Sequence, residues 1–424
     1  MSYLQRIYDR YRNGNNPFVS IQDTGDDYII TLSGRFAGKS KRIIYGKTGE
    51  VFRGGTQRWV DTPDLESETI IFEDFIPAPP APPAGPNLDT ITTGYSILDG
   101  YGEVDIEAAI EYVLDQDLES QAPVEDSFGQ NDLYGLDRIG APEAWDAGYT
   151  GDGIVIAVID TGIDRDHTEL DDNIWVNTDE IAGDGIDNDG NGYIDDFQGW
   201  NFVGNNNNVE DSGFHGSHVA GTIAAEAGGM VQGVAYNAKI MPLKVFPADG
   251  GATITDIAAA VFYATQNGAD IINMSLGIRV EEELVDPLSW QLLRTAMKNA
   301  NDNGVVVVSA AGNDRFLSPA VPGAYAVESG IVVGAVDETG NLDTSYSNRA
   351  GGAKDYEGDG LDVPLYVSAA GTRIWSTVPD NNFGRLQGTS MAAPHVAAAI
   401  ALLLEADPSL TPDQVQIVLA NTTQ

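Results

Sequence analysis

The 424 residues predict an α/β fold: a doubly wound parallel sheet with flanking helices, preceded by a small β-rich N-terminal domain. Three observations carry this. Continuous apolar runs recur at residues 153–159, 239–245, 270–276, 305–311 and 331–336, as strands buried on both faces of a parallel sheet require. Helical patterns separate several of them, at 253–267 and 287–303, giving the alternation of βαβ units. The N-terminal part reads differently, with short alternating runs at 27–32, 41–45 and 69–72 between Gly and Asp turns.

Taken in order, residues 1–76 form the β-rich module. Ten of the 22 Lys and Arg residues fall in the first 60 positions against five acidic ones, so a modestly basic module precedes a very acidic remainder. It suits either docking on the catalytic part, as an intramolecular inhibitory pro-segment would, or an independent appendage. Residues 77–94 follow as a proline-rich linker, stiffened by Pro77-Ala78-Pro79-Pro80-Ala81-Pro82-Pro83. Residues 95–131 hold a helical pattern at 106–118 and a polar connector. The α/β domain spans 132–424, with any ligand site expected at the carboxyl ends of its strands.

Asp plus Glu number 64 against 22 Lys plus Arg, a net charge of −42, which argues against nucleic acid or an anionic membrane as partner. Cysteine is absent, which removes disulfides, thiolate zinc sites and a cysteine nucleophile. Neither a signal peptide nor a membrane span is visible: Arg6, Arg10 and Arg12 near the start lack an apolar core after them. Localisation stays open on this ground.

Three motifs carry chemistry. Val158-Ile159-Asp160-Thr161-Gly162 places an aspartate at the end of a buried strand. His215-Gly216-Ser217-His218-Val219-Ala220-Gly221 opens a helix of small residues. Gly388-Thr389-Ser390-Met391-Ala392-Ala393-Pro394-His395 brackets a serine at the start of an alanine-rich helix. A helix N-terminus offers unpaired N–H groups and a positive dipole end, which suits a hydroxyl beside developing negative charge. Each motif alone also fits a bland role, such as a capping serine or a turn aspartate. Together they supply a nucleophile, a base and a carboxylate to orient the base.

With Ser309-Ala310-Ala311-Gly312-Asn313 as a fourth match, residues from about 132 onward resemble the subtilisin-like serine proteases, the subtilases. The resemblance implies a serine endopeptidase acting on protein and peptide substrates. Asp160, His215 and Ser390 would be its triad, and Asn313 an oxyanion-hole donor beside the backbone N–H of Ser390. It also implies that Ser275, Leu276 and Gly277 pair with substrate and, with Ala310, Ala311 and Gly312, wall the P1 pocket. Ala320 stands at the pocket floor where the family usually has glycine, which implies a preference for medium apolar P1 residues. Two other readings are a latent zymogen and a catalytically silent calcium-binding homologue.

The acidic loop at 184–196 presents oxygen side chains at Asp187, Asp189 and Asn191, a glycine at 192 and a carbonyl at Tyr193, the first half of an EF-hand loop. Asp196 is placed to close the shell, so Ca²⁺ is the expected cofactor. The alternative is a solvated Asp/Asn/Gly loop. A second calcium loop of the family, after the His215 helix, is not matched by Glu226-Ala227-Gly228-Gly229-Met230.

The last feature is one of order. Family members carry a Gly-Tyr-Gly-like strand and a closing helix after the segment matching 411–424. Here Gly100-Tyr101-Gly102-Glu103-Val104-Asp105 carries that signature ahead of Asp160. Residues 95–115 are therefore expected to dock beside 411–419 as a circularly permuted closing element, with Tyr101, Val104 and Ala108 buried, unless they are the end of a conventional pro-segment.

Overall fold

The computed structural model describes strands Val19–Asp23, Asp27–Leu32 and Lys41–Gly46 and, farther along, residues 88, 90–91, 93–124, 133–277, 287–328, 330–351 and 364–424. The expected run at 69–72 and the proline-rich stretch 77–83 lie outside the described residues. Two compact units are present, 1–83 with 183–195 and 84–182 with 196–424. In the first, β1 (Val19–Asp23), β2 (Asp27–Leu32) and β3 (Lys41–Gly46) form an antiparallel sheet in that order.

The second unit is built on a seven-stranded parallel sheet. Its strands are β4 (Val155–Asp160), β5 (Trp200–Asn201), β6 (Lys239–Lys244), β7 (Ile271–Met274), β8 (Val306–Ala310), β9 (Ile331–Val336) and β10 (Leu365–Ala370), in the order β10-β9-β8-β7-β4-β6-β5. The chain winds outward from β4 to β6 on one side and from β7 to β10 on the other. The order reverses beside β4, where side chains at strand ends can converge. Nearly every residue of β4 and β6 to β10 is buried, which is why these strands read as unbroken apolar runs. A hairpin, β11 (Ile374–Val378) and β12 (Asn382–Leu386), stands apart from the sheet.

Eight α-helices are described: α1 (Ile106–Leu114), α2 (Tyr134–Arg138), α3 (Ala141–Asp146), α4 (His215–Ala224), α5 (Ile254–Gln266), α6 (Pro287–Asp302), α7 (Thr389–Ala406) and α8 (Pro412–Thr422). Long and apolar enough to cross a membrane by composition, α7 is 83% buried over that window and packs on β7 to β10 as the core helix.

Residues 100–115 belong to this unit. Tyr101 and Val104 donate backbone N–H groups to Tyr366 O and Ser368 O, each at 2.9 Å, and Ser368 N–H returns a bond to Gly102 O at 2.8 Å. This extends the sheet beside β10. Asp105 then caps α1 by accepting Ala108 N–H at 3.0 Å, and α1 packs against α7 and α8. Its buried stripe is Ile106, Ala109, Ile110 and Val113, the 3-4-7 spacing of one helix face. Val104 is fully buried, while Tyr101 and Ala108 are only half-buried, because Ala108 falls beside that stripe and not within it.

Candidate active site

Asp160 is the last residue of β4, 1% exposed, and His215 is the first of α4, its side chain 30% exposed. His215 Nδ1 lies 2.8 Å from Asp160 Oδ1 and 3.0 Å from Oδ2, so Nδ1 carries the proton and Nε2 is the ring's acceptor. Burial of the ring works against its charged form, but the charge and hydrogen bond of Asp160, with Asp211 adding, leave its pKa raised. Small residues make the approach possible: a β-carbon on Gly216 would lie 2.0 Å from Gly162 O and 3.2 Å from Asp160 Cβ.

The first turn of α4 is tied to the β4 end by side chains. Thr161 Oγ1 accepts Gly216 N–H at 2.9 Å and donates to Asp211 Oδ1 at 2.8 Å, and Asp211 Oδ2 accepts the N–H and hydroxyl of Ser217 at 3.0 and 2.7 Å. Sequence reasoning missed Thr161 and Asp211. Their only sequence signal is position, one residue after Asp160 and four before His215.

Ser390 sits half-buried in the first turn of α7, which packs against α4. Pro394 lies within the helix and has no N–H to give the carbonyl four residues back. That carbonyl, Ser390 O, accepts the hydroxyl of Ser275 at 2.7 Å instead, while Asn273 Nδ2 donates to Ser275 Oγ at 2.9 Å. The Ser275 side chain thus supports the serine turn.

Asn313 follows β8 by three residues and is exposed. Its Oδ1 accepts Thr389 N–H at 2.8 Å and Thr389 Oγ1–H at 3.1 Å. With the carbonyl end fixed, Nδ2 is the outward donor, 3.2 Å from where a β-carbon on Gly388 would be. Thr389 also accepts Gly312 N–H at 2.9 Å, a bridging role that its place beside Ser390 did not disclose.

Ser275 and Leu276 are buried and Gly277 is exposed, as are chain segments at a rim; Ala310, Ala311 and Gly312 are buried. The Ala320 methyl stands between the two segments. A β-carbon on Gly277 would meet it at 3.4 Å and one on Gly312 at 2.9 Å.

The other histidines face main-chain carbonyls. His218 Nε2 lies 3.0 Å from Ile374 O and 3.2 Å from Gly384 O, His395 Nδ1 2.8 Å from Met391 O, and His167 Nε2 3.1 Å from Asn382 O. Burial pushes both His218 and His395 down to about 4.

In the acidic loop, Asp187 and Asp189 bring carboxylate oxygens within 4.8 Å of each other. Asp187 Oδ2 accepts Gly192 N–H at 2.9 Å, and Oδ1 is buried without a hydrogen-bond donor. Asp189 accepts from Asn191 N–H and Nδ2, and Asn191 Oδ1 from Tyr193 N–H. An all-oxygen donor set with a desolvated carboxylate oxygen fits a hard cation. Asp196, expected to close the shell, is fully buried, and its oxygens accept from the Tyr263 hydroxyl and, at 3.5 Å, from Asn177 Nδ2.

After α4, where the second calcium loop is unmatched, the turn is held by protein groups. Glu169 accepts Met230 N–H at 2.6 Å and Val231 N–H at 3.1 Å. Gly229 lets it approach, since a β-carbon there would lie 2.4 Å from Glu169 Cδ.

Comparison with known proteins gives one answer. Residues 151–424 match the subtilase family. Subtilisin DY of Bacillus licheniformis is 35% identical over 294 residues, 68% of this chain and 90% of the relative. Subtilisin BL of Lederbergia lenta is 36% identical over 290 residues, again 68% and 90%. The crystal structure of a cold adapted subtilisin-like serine proteinase aligns with a TM-score of 0.51 at 28% identity, covering 68% of this chain and 90% of that one. The chain therefore belongs to the subtilase family and is a serine endopeptidase.

Proposed function

We propose that Ser390 Oγ attacks the scissile carbonyl while His215 Nε2 takes its proton, and that the proton then passes to the leaving amine. Asp160 holds His215 in the tautomer that exposes Nε2 and stabilises the imidazolium. Asn313 Nδ2 and the backbone N–H of Ser390 donate to the tetrahedral oxygen. The observation that carries this reading is the 2.8 Å bond between His215 Nδ1 and Asp160 Oδ1, which commits one ring nitrogen and leaves the other to act as base. In the test, Ser390→Ala loses casein hydrolysis and labelling by a fluorophosphonate; undiminished labelling of that variant sinks the assignment.

Substrate pairs as an added strand with the 275–277 backbone, and the Ala320 methyl shortens the P1 pocket toward Leu and Met. A peptide library led by basic or acidic P1 residues would contradict this. Asp187, Asp189, Asn191 and the Tyr193 carbonyl are read as a Ca²⁺ site, in which the ion would hold the loop together; Asp196, expected as a fifth ligand, is left out of this reading because its oxygens already accept from Tyr263 and Asn177. Residues 95–115 are read as a closing element moved ahead of the β4 strand. The basic N-terminal module is read as an intramolecular inhibitory segment; mass spectrometry of incubated protein should show a cut between residues 121 and 131, and a chain that stays whole while active argues against latency.

A further inference from the structure

A buried ammonium group lies behind the Asp160–His215 pair. Lys244 ends β6 and is the register partner of Asp160 across the parallel β4–β6 ladder. It is 6% exposed. Its Nζ donates to the main-chain carbonyl of Thr161, the residue after Asp160, and at 2.8 Å to Ser212 Oγ, the residue after Asp211. One cation is thus bonded to both turns that hold His215: the turn leaving β4 and the turn entering α4.

The charges around it are specific. Facing Lys244 are Asp160 from β4 and Glu210 and Asp211 from the turn before α4. Facing His215 are Asp160, Asp211 and, from its own helix, His218; α7, packed on α4, brings His395 toward His218. Burial lowers the pKa of Lys244, and the three carboxylates oppose that effect. A lysine removed from water without a direct carboxylate bond is costly unless the surrounding field needs its charge.

We infer that Lys244 is a positioning residue of the protease, a buried cation that joins the Asp160–Thr161 turn to the Asp211–Ser212 turn and offsets the carboxylate charge acting on His215. The inference rests on the reading of His215 as general base. Without the Lys244 charge, only burial of the imidazole opposes the field of Asp160 and Asp211, so the ring holds its proton to higher pH. Without the Asp211 charge, the ring releases it at lower pH. A role confined to packing has no reason to move the two variants in opposite directions.

The test is the pH profile of kcat/KM on a neutral peptide substrate for the wild type, Lys244→Met, Lys244→Arg and Asp211→Asn, with His215→Ala as a control. The acid limb should move up in Lys244→Met and down in Asp211→Asn, each by about half a pH unit or more. Lys244→Arg should return it close to the wild-type position. Shifts of the same sign in both variants, or an unmoved limb in either, overturn the inference. Should Lys244→Met fail to fold, Lys244→Gln, which can still donate to the Thr161 carbonyl and Ser212 but carries no charge, takes its place: an upward shift supports the inference, and no shift or a downward one rejects it. Retained activity in His215→Ala would instead strike the base assignment, so the two failures are told apart.

Discussion

The hydroxyl of Ser275 donates a 2.7 Å hydrogen bond to the backbone carbonyl of Ser390, the acceptor that Pro394 leaves without a helical partner. Ser275→Ala removes that donor from a buried site, at a cost of about 1 to 3 kcal/mol. We expect a lower denaturant midpoint together with a reduced kcat and little change in KM, because the turn carrying Ser390 loosens while the peptide-binding backbone stays. Steady-state kinetics on one peptide substrate check this; an unchanged kcat would show that the bond does not hold the serine in place.

Asn313 is oriented by Thr389 through its carbonyl oxygen. Asn313→Leu should lower kcat by about 10²- to 10³-fold at nearly constant KM, the magnitude known for removing such a donor in subtilisin itself. Thr389→Val should show a smaller fall of the same kind, since Asn313 Oδ1 then loses the hydroxyl donor but keeps the backbone N–H of residue 389. A large rise in KM with kcat intact would assign Asn313 to ground-state binding.

Bound Ca²⁺ in the acidic loop should raise thermal stability in proportion to ln(1 + [L]/Kd), reaching about 3 to 4 kcal/mol when the free ion is several hundred times Kd. Chelation should therefore lower Tm, and added Ca²⁺ should restore it. In Asp187→Ala/Asp189→Ala the response should vanish. Equal melting curves with and without chelator would reject the site.

Glu169 pins the turn after α4 by accepting Met230 N–H and Val231 N–H. Glu169→Ala leaves both donors without this acceptor and should destabilise the fold by about 2 kcal/mol or more. The loss should be the same in chelator as in excess Ca²⁺, which separates this turn from the acidic loop. Chemical denaturation under the two conditions is the measurement, and a loss that appears only with Ca²⁺ present would count against the latch.

His218 and His395 are held neutral, with pKa values pushed by burial from 6.5 down to about 4. Between these values the unfolded chain binds protons that the folded one refuses, so stability falls as pH drops from about 6.5 toward 4 and is intact above that window. His215, with a raised pKa, acts in the opposite sense: its contribution is present at low pH and lost as pH rises through its folded value. Two rings outweigh one, and the net trend should be acid destabilisation. Urea midpoints at pH 7 and pH 5 should differ less in His395→Gln than in the wild type; an equal difference would remove His395 from the account.

Much of the sheet was legible because burial on both faces leaves no room for polar alternation. The runs at 153–159, 239–245, 270–276, 305–311 and 331–336 correspond to β4, β6, β7, β8 and β9 within a residue or two. Two strands of the seven-stranded sheet were not read. Trp200–Asn201 is too short for any period, and Leu365–Ala370 breaks its apolar run with Ser368. At the site, Asp160 and His215 were paired by the resemblance that the motifs at 158–162 and 215–221 carry, and the structure brings them to 2.8 Å. The bonds of Lys244, and of Ser275 to Ser390, arise from strand register and from a proline many residues away. No local pattern encodes either one.

The pairing of 101–104 with β10 ties the two ends of the catalytic unit together, since Gln424 N–H also bonds Glu103 O at 3.0 Å and Thr423 Oγ1 bonds Tyr101 O at 2.8 Å. In an uncut chain this contact is intramolecular, and its strength does not depend on how much protein is present. A nick anywhere in the connector at 121–131 changes that: the piece bearing Val104, Ile106 and Ile110 becomes a separate molecule, held only by what it buries. Its loss is then governed by effective concentration and by the bulk concentration into which it escapes. Dilution, without effect on this contact in the whole chain, becomes a means of stripping the piece from the nicked one.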